Sequence, residues 1–108
     1  MSGKASFVGG DKTYKVQTGT ILFVEANQNY SCIHTLTGKF MSLTPIRALE
    51  EQLPAGKFIR IHKSYIVAIG KIQSLSGNEL TVGKQKIPVS KNYKDDLMRL
   101  IDGKLIRK

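Results

Sequence analysis

Short apolar runs separated by turn-forming residues recur along the chain, and this pattern predicts an all-β or β-rich domain. The run at residues 21–24 is continuously apolar rather than alternating, which predicts a strand buried on both faces. The polar residues 27–29 that follow it are turn-prone and should form an exposed loop. Further strands are predicted at residues 6–8, 13–17, 58–61 and 69–75, with a turn at 9–12 and with a hairpin over 30–43 that turns at 37–39. Turns at 77–78 and 83–84 space two further short strands, which end at residues 87–89.

A first short helix is predicted in the middle of the chain. Thr44 is a favourable cap residue, and Pro45 is a favourable first helical residue. Apolar residues then recur at helical spacing over residues 46–53. A helix of about two to three turns should therefore end near Pro54.

A second helix is predicted after the last strand, from a cap at Ser90 through Ile101. Leu97 and Ile101 would face the core. Asp95 and Asp96 are expected in its first turn, where carboxylates suit the positive end of the helix dipole. The tail over residues 103–108 is expected to be loose.

Length and composition are those of one folded domain covering residues 1–108. Apolar residues make up 41% of the chain, which is enough for a core and argues against disorder. Cys32 is the only cysteine, so no intrachain disulfide can form; with no secretory signal at the start, the expected compartment is the reducing cytoplasm. The longest apolar run, residues 65–69, is far shorter than the roughly 20 residues that span a bilayer.

Positive charge is concentrated in the second half of the chain. The formal net charge is +9, and residues 54–108 hold twelve basic and four acidic groups against five and four in residues 1–53. Such a charge distribution attracts polyanions, and nucleic acid is the favoured partner. One alternative is a basic surface that only maintains solubility. Another is an anionic membrane, which would need a basic amphipathic helix, whereas the predicted helices are acidic or short.

The titratable residues form no catalytic or metal-binding pattern, so no enzyme activity, metal or cofactor is predicted. His34 and His62 are the only histidines, and with one cysteine they make a poor metal set. His62 ends a strand and is expected to hydrogen-bond to backbone rather than to act as a base. Glu25 closes an apolar strand, and we favour a structural role, in which it accepts hydrogen bonds from the adjoining loop, over a role as general acid or base.

Three polar or basic segments, residues 27–30, 62–64 and 90–94, each adjoin an apolar strand. Together with these strands they resemble the LytTR family of DNA-binding domains. The resemblance lies in residues 21–30 for the start of that domain, in residues 58–67 for its most recognisable segment, and in residues 87–93 for its closing motif. The motifs stand in the family's order, and the resemblance covers about residues 7–101.

The chain departs from the family pattern at a few positions. Ala68 stands where the family usually has asparagine, which affects the local turn rather than the assignment. Lys63 and Lys91 stand where arginine is frequent. Because lysine is a flexible point charge rather than a planar fork, weaker base discrimination is expected from both positions.

The resemblance implies a mainly β fold of small antiparallel sheets packed together, with one or two short helices. It also implies that loops, rather than a recognition helix, enter successive major grooves of duplex DNA. The implied function is sequence-selective binding by the output domain of a bacterial transcription regulator, commonly the response regulator of a two-component system. By position, the implied base-contacting residues are Asn29, Tyr30, Lys63 and Lys91, and the implied phosphate-contacting residues are Gln28, Ser64, Asn92 and Lys94.

The chemistry of these residue types agrees with that placement. Lysine can donate to the O6 and N7 acceptors of guanine, and asparagine can bridge N6 and N7 of adenine. Contact with phosphate or solvent is the alternative for Lys63 and Lys91, and a place in the hairpin core is the alternative for Tyr30.

The expected partner is double-stranded DNA, with no membrane partner. The resemblance further implies an N-terminal receiver domain, which 108 residues cannot also contain, and a homodimer on paired sites. Two other functions stay open from the sequence. One is an oligonucleotide-barrel domain that binds single strands. Such domains stack bases on exposed aromatic side chains, whereas most aromatic residues of this chain lie in apolar runs. The other is a protein-interaction module with an incidental basic face.

Overall fold

The computed structural model describes residues 4–9 and 12–102 of the chain. The described part is mainly β, with ten strands, two α-helices and two 3-10 turns. The first five strands are β1 (Lys4–Gly9), β2 (Lys12–Gln17), β3 (Ile21–Asn27), β4 (Tyr30–Thr35) and β5 (Gly38–Ser42). The remaining elements are α1 (Ile46–Gln52), β6 (Phe58–His62), β7 (Tyr65–Ala68), β8 (Ile72–Ser76), β9 (Glu79–Val82), β10 (Gln85–Pro88) and α2 (Lys91–Asp102).

All strand pairs are antiparallel and form three sheets. The largest sheet has five strands in the order β5-β4-β3-β7-β6, so β3 is its central strand. A three-stranded sheet follows the order β10-β9-β8, and β1 pairs with β2 alone. The predicted fold of small antiparallel sheets with short helices is therefore confirmed.

The five-stranded sheet separates two hydrophobic cores, because neighbouring residues on its inner strands point to opposite faces. On one face, Val24 and Ile66 pack in a core that α1 covers. On the other face, Phe23 and Val67 pack in a core formed with the three-stranded sheet and α2. Val24 and Val67 are fully buried, and Phe23 retains only 4% exposure. The predicted burial of residues 21–24 on both faces is thus confirmed, except that Leu22 is only half-buried.

A β-bulge near the start of β3 distributes its apolar residues between the two cores. In a regular strand Ile21 and Phe23 would share a face. The register with β4 shifts between these two residues, which is the effect of one extra residue in the strand. As a result Ile21 lies in the core beneath α1 while Phe23 lies in the other core.

The predicted strand over residues 69–75 is wrong in its bounds. The chain forms β7 first, then a 3-10 turn at Ile69–Lys71, and only then β8. The longest apolar run, at residues 65–69, contains the strand that pairs with β3. The backbone N–H of Ile69 donates to the carbonyl of Lys57 at 2.9 Å, just beyond the last β6–β7 pair, and the 3-10 turn begins at this residue.

The predicted helix caps are also corrected. Helix α1 begins at Ile46 with Pro45 at its cap position and without a side-chain capping bond. Thr44 stands one position before that cap, where its carbonyl accepts from the Ser31 hydroxyl at 2.9 Å and its N–H donates to Ser42 Oγ at 3.1 Å. The expected end near Pro54 is confirmed.

In α2 the buried positions of Leu97 and Ile101 are confirmed. Asp95 and Asp96 do not lie in the first turn, since the helix begins at Lys91 and its first turn holds no acidic residue. Asp96 instead pairs with Arg99 at 3.1 Å. Residues 10 and 11 of the predicted first turn and the predicted loose tail at 103–108 lie outside the described residues.

Positive backbone φ angles of 62° at both Gly77 and Gly83 confirm the two predicted turns that flank β9. Neither helix in the described ranges is long and apolar enough to cross a membrane.

Because both cores share one sheet, we expect them to unfold together. Leu49 in α1 and Leu97 in α2 are each fully buried, one in each core. Leu49→Ala and Leu97→Ala should each lower the free energy of unfolding by about 2–5 kcal/mol, measured by urea denaturation. Leu36→Ala, at a residue with 62% exposure, is the control and should change it by less than about 0.5 kcal/mol. That residues 1–108 form a single cooperative unit stays a prediction. Two separated unfolding transitions in either core variant would contradict it.

Candidate nucleic-acid interface

The first two predicted segments are neighbouring turns at one end of the five-stranded sheet. Glu25 near the end of β3 pairs with Tyr65 at the start of β7. One residue further on, the backbone N–H of Ala26 donates to the carbonyl of Ser64 at 2.8 Å. The β3–β4 turn and the β6–β7 turn therefore lie side by side.

The third segment joins them through the end of β6. The backbone N–H of Ser90 donates to the carbonyl of Ile61 at 2.8 Å. Lys91, which follows Ser90, begins helix α2. The start of this helix is therefore held beside the β6–β7 turn, and all three segments meet at one end of the molecule. We call this end the three-segment surface: residues 27–30, 62–64 and 90–94.

The eight predicted contact residues all lie on the three-segment surface, and they differ in exposure. Five are exposed: Gln28, Asn29, Lys63, Lys91 and Asn92. Three are half-buried: Tyr30, Ser64 and Lys94. Gln28 adopts a φ of 36°, which lets β3 and β4 join through a tight turn. Tyr30 is the first residue of β4 and pairs with Asn27, so it is neither a core residue nor a freely projecting one.

Arg60 braces the β6–β7 turn, a role that sequence analysis missed. Its Nε donates to the carbonyl of His62 at 2.8 Å, and its Nη2 donates to the carbonyl of Lys63 at 2.5 Å. Its Nη1 forms an ion pair with Glu50 of α1 at 2.6 Å. The side chain of Arg60 is only 14% exposed, whereas that of Glu50 is 45% exposed, so the ion pair orients the guanidinium more than it stabilises the fold.

His62 supports the same turn from within. The backbone N–H of Ser64 donates to His62 Nδ1 at 3.0 Å, which confirms the prediction that this histidine bonds to backbone. The His62 ring also packs edge-on against Tyr65, with ring centroids 5.5 Å apart. Lys63 therefore projects from a turn whose backbone is bonded on both sides.

Asn78, in the β8–β9 turn, performs a similar task for the third segment. Its carbonyl accepts from the N–H of Val89 at 2.7 Å, and its Oδ1 accepts from Lys94 Nζ at 2.8 Å. From the sequence, Asn78 is predicted only as part of the turn at residues 77–78. Its distance of sixteen positions from Lys94 left no local signal of the contact.

Glu25 has the expected structural role. Its hydrogen-bond partners are side chains on the two neighbouring strands rather than the adjoining loop that the sequence predicted. Its carboxylate lies 3.3 Å from His34 Nε2 and accepts from the Tyr65 hydroxyl at 3.2 Å. His34 also stacks on Phe23 with ring centroids 4.0 Å apart. Glu25 thus connects β3 to both of its neighbouring strands just behind the turns. Burial, followed by the charge and the hydrogen bond of Glu25, raises the pKa of Tyr65 above 10.0.

Among the described residues, no group of three or more His, Cys, Asp or Glu side chains could hold a metal ion. Cys32 is buried, and desolvation raises the pKa of its thiol. It therefore stays protonated near neutral pH, which suits a core residue rather than a nucleophile.

A β-rich fold that presents lysines and amides from three converging segments defines a candidate polyanion-binding domain. The family model of the LytTr DNA-binding domain matches residues 11–102. The chain therefore belongs to the LytTR family, which is a family of DNA-binding domains of transcriptional regulators and not of enzymes.

Several relatives are longer regulators. The chain is 33% identical over 70 residues to the CO-responsive transcriptional regulator RcoM of Rhodospirillum rubrum, covering 65% of this chain and 30% of that protein. It is 24% identical over 98 residues to the sensory transduction protein LytT of Bacillus subtilis, covering 85% of this chain and 41% of that protein. The chain thus spans less than half the length of these curated relatives.

A solved structure supports the fold. The structure of a LytTr DNA-binding domain from Bacillus cereus superposes with a TM-score of 0.77 at 20% sequence identity. The match covers 91% of this chain and 95% of that chain.

The brace formed by Arg60 can be tested by removing its donors. Arg60→Met keeps the apolar stem but leaves the carbonyls of His62 and Lys63 without these bonds, which should weaken the turn by about 1–3 kcal/mol. Amide hydrogen exchange at Ser64 should accelerate accordingly. Arg99→Met is the matched control, because Arg99 is 78% exposed and pairs with Asp96 alone among the described residues. Unchanged exchange at Ser64 in Arg60→Met would refute the brace.

The raised pKa of Tyr65 predicts a specific loss of stability in alkali. The phenol is neutral in the fold up to a higher pH than in the unfolded chain, so its contribution is complete below pH 10.0 and is lost as the pH rises through the folded-state pKa. Tyr65→Phe removes the ionising group and should flatten this part of the stability profile. The measurement is urea denaturation at several pH values on either side of 10.0, comparing both proteins. Parallel profiles for the two proteins would show that Tyr65 is not responsible.

Proposed function

We propose that the three-segment surface binds duplex DNA in a sequence-selective manner, with its turns entering successive major grooves. The observation that carries this proposal is the convergence of the three segments through two backbone hydrogen bonds of 2.8 Å, Ala26 to Ser64 and Ser90 to Ile61. Exposed lysines and amides from distant parts of the chain thereby face one partner. A helix inserted in a groove is not required by this arrangement.

The proposed roles divide the eight residues into two groups. Asn29, Tyr30, Lys63 and Lys91 contact base edges, and Gln28, Ser64, Asn92 and Lys94 contact phosphate or sugar. Lysine and asparagine supply the donors that guanine and adenine accept in the major groove. Contacts to phosphate supply affinity and register without sequence information.

The bracing of the turns supports base contact by Lys63. A flexible lysine discriminates between bases only if its backbone is held in place, since its own side chain has four rotatable bonds. Arg60 provides that support by donating to the carbonyls of His62 and Lys63, and His62 provides it by accepting from the N–H of Ser64. Lys94 differs, because it already donates to Asn78 and would reach phosphate from that position.

In its biological setting the domain is proposed to be the output part of a bacterial transcription regulator that acts on the chromosome in the cytoplasm. The relatives named as sensory transduction and regulatory proteins support a signal-dependent role. An N-terminal receiver domain and a homodimer on paired DNA sites are part of this proposal.

The alternative of a single-strand binder lacks support in the fold comparisons, which match a LytTr DNA-binding domain. Single-strand binding also relies on exposed aromatics as stacking platforms. Phe23 and Phe58 are instead buried in the two cores. Competition between duplex and single-stranded DNA decides between the two hypotheses.

The test begins with duplexes selected by the protein from a random pool. Lys63→Ala and Lys91→Ala should each weaken binding to the selected duplex by about 1–3 kcal/mol while changing binding to unrelated duplexes much less. Lys94→Ala should weaken both alike and flatten the salt dependence by about one unit. Fluorescence anisotropy at several salt concentrations measures both effects.

Lys84→Ala is the matched control, because Lys84 is exposed at the other end of the molecule. Its neighbour Gly83 lies near Leu22 at the start of β3, whereas the three-segment surface lies where β3 ends. Equal weakening of all duplexes by Lys63→Ala and Lys91→Ala would disprove base contact. An effect of Lys84→Ala as large as theirs would disprove the location.

A further inference from the structure

A groove of about 320 Å³ lies at the end of the five-stranded sheet opposite the three-segment surface. Ile21 at the start of β3, Phe58 at the start of β6 and Ala68 at the end of β7 line it. The other ends of these strands carry the turns of the three-segment surface. With β3 seven residues long, the two sites are separated by roughly 20 Å of strand.

Three glycines border this groove. Gly19 and Gly70 are the central residues of the two 3-10 turns that border it, and Gly56 borders it in the loop after α1. A Cβ added at Gly56 or at Gly70 would meet no atom within 4 Å. The positions beside Gly56 and Gly70 are therefore unobstructed, and neither residue has a positive φ angle that would require glycine.

The groove combines an apolar lining with positive charge. Phe58, Ala68 and Ile69 supply apolar surface at its wall. Lys57 and Lys71 are the charged residues in the lining, and among the described residues that line it there is no carboxylate. Lys71 is half-buried and Lys57 is exposed, so both ammonium groups can reach solvent at the groove's edge.

This composition matches small-molecule sites, which are concave and mostly apolar with a few polar groups that fix orientation. We propose that the groove binds a small organic monoanion with an apolar body, of the kind represented by a medium-chain carboxylate. The apolar part would lie against Phe58 and Ile69, and the carboxylate would lie between Lys57 and Lys71. The site is separate from the DNA-contacting surface, so this proposal does not depend on the proposed function.

The test compares three probes with alkyl chains of similar length and head groups of different charge: octanoate, 1-octanol and octyltrimethylammonium. Binding is followed by NMR through the backbone amides of Gly19, Gly56 and Gly70, which border the groove. Gly77, in the β8–β9 turn at the opposite end, is the internal control. Octanoate should shift the three groove amides in a saturable manner and should bind roughly three- to tenfold more tightly than 1-octanol, since each exposed ion pair adds little. Octyltrimethylammonium should bind most weakly.

Two variants separate the apolar and charged parts of the site. Lys57→Gln combined with Lys71→Gln should reduce the affinity for octanoate to that for 1-octanol. Gly70→Leu should fill the groove and abolish the saturable shifts with both probes. Its thermal unfolding and the dispersion of its backbone amide spectrum show whether the fold is retained. If Gly70→Leu is destabilised, Gly56→Leu fills the groove from its other border and serves in its place.

Three results would overturn the proposal. The first is shifts that do not saturate or that affect Gly77 as strongly as the groove glycines. The second is equal affinity for octanoate and octyltrimethylammonium. The third is unchanged octanoate binding in a folded variant whose groove is filled.

Discussion

The antiparallel pairing of β3 with β4 on one side and with β7 on the other is the interaction on which the rest of the structure depends. This pairing places the β3–β4 turn and the β6–β7 turn at the same end of the sheet. It also makes β3 the partition between the two cores, with Val24 on one face and Phe23 on the other. Shifting this register by one residue would turn every side chain of β3 to the wrong face and would separate the turns.

The polar network behind the turns makes this pairing more specific than apolar packing alone would. Glu25 is bonded to His34 on β4 and to Tyr65 on β7, so one carboxylate connects the three central strands. Arg60 then fixes the β6–β7 turn from the side of α1. A partly buried polar network favours the arrangement in which all of its members are satisfied, and no described buried side-chain nitrogen or oxygen is left without a partner. The turns are therefore held in one geometry before any ligand arrives.

Sequence reasoning recovers what short-range pattern encodes and misses what depends on long-range contact. The continuous apolar run at residues 21–24 reveals a doubly covered strand, and glycines mark the turns around β9. The strand at residues 65–68 is missed because the apolar run continues through Ile69, so no break in the pattern marks where the strand ends and the 3-10 turn begins. The partners of Glu25 lie 9 and 40 positions away, and Lys94 lies 16 positions from Asn78, so none of them has a local signal. Polar residues directly after apolar strands lie at a sheet end, so the sequence locates the three segments, while their contact with DNA stays a prediction.

Arginine and lysine have different tasks in this molecule, and the difference follows from their chemistry. Arginine forms two ion pairs among the described residues, Glu50 to Arg60 and Asp96 to Arg99, and no ion pair there uses a lysine. Arginine's planar fork suits bracing, because it can hold two carbonyls and a carboxylate at once, as Arg60 does. The lysines among residues 13–102 form no ion pair with a carboxylate, and their charge remains available to a polyanion. The price of a net charge of +9 is mutual repulsion in the free protein. Binding a polyanion relieves that repulsion, so the unpaired lysines favour association with DNA even before a base is contacted.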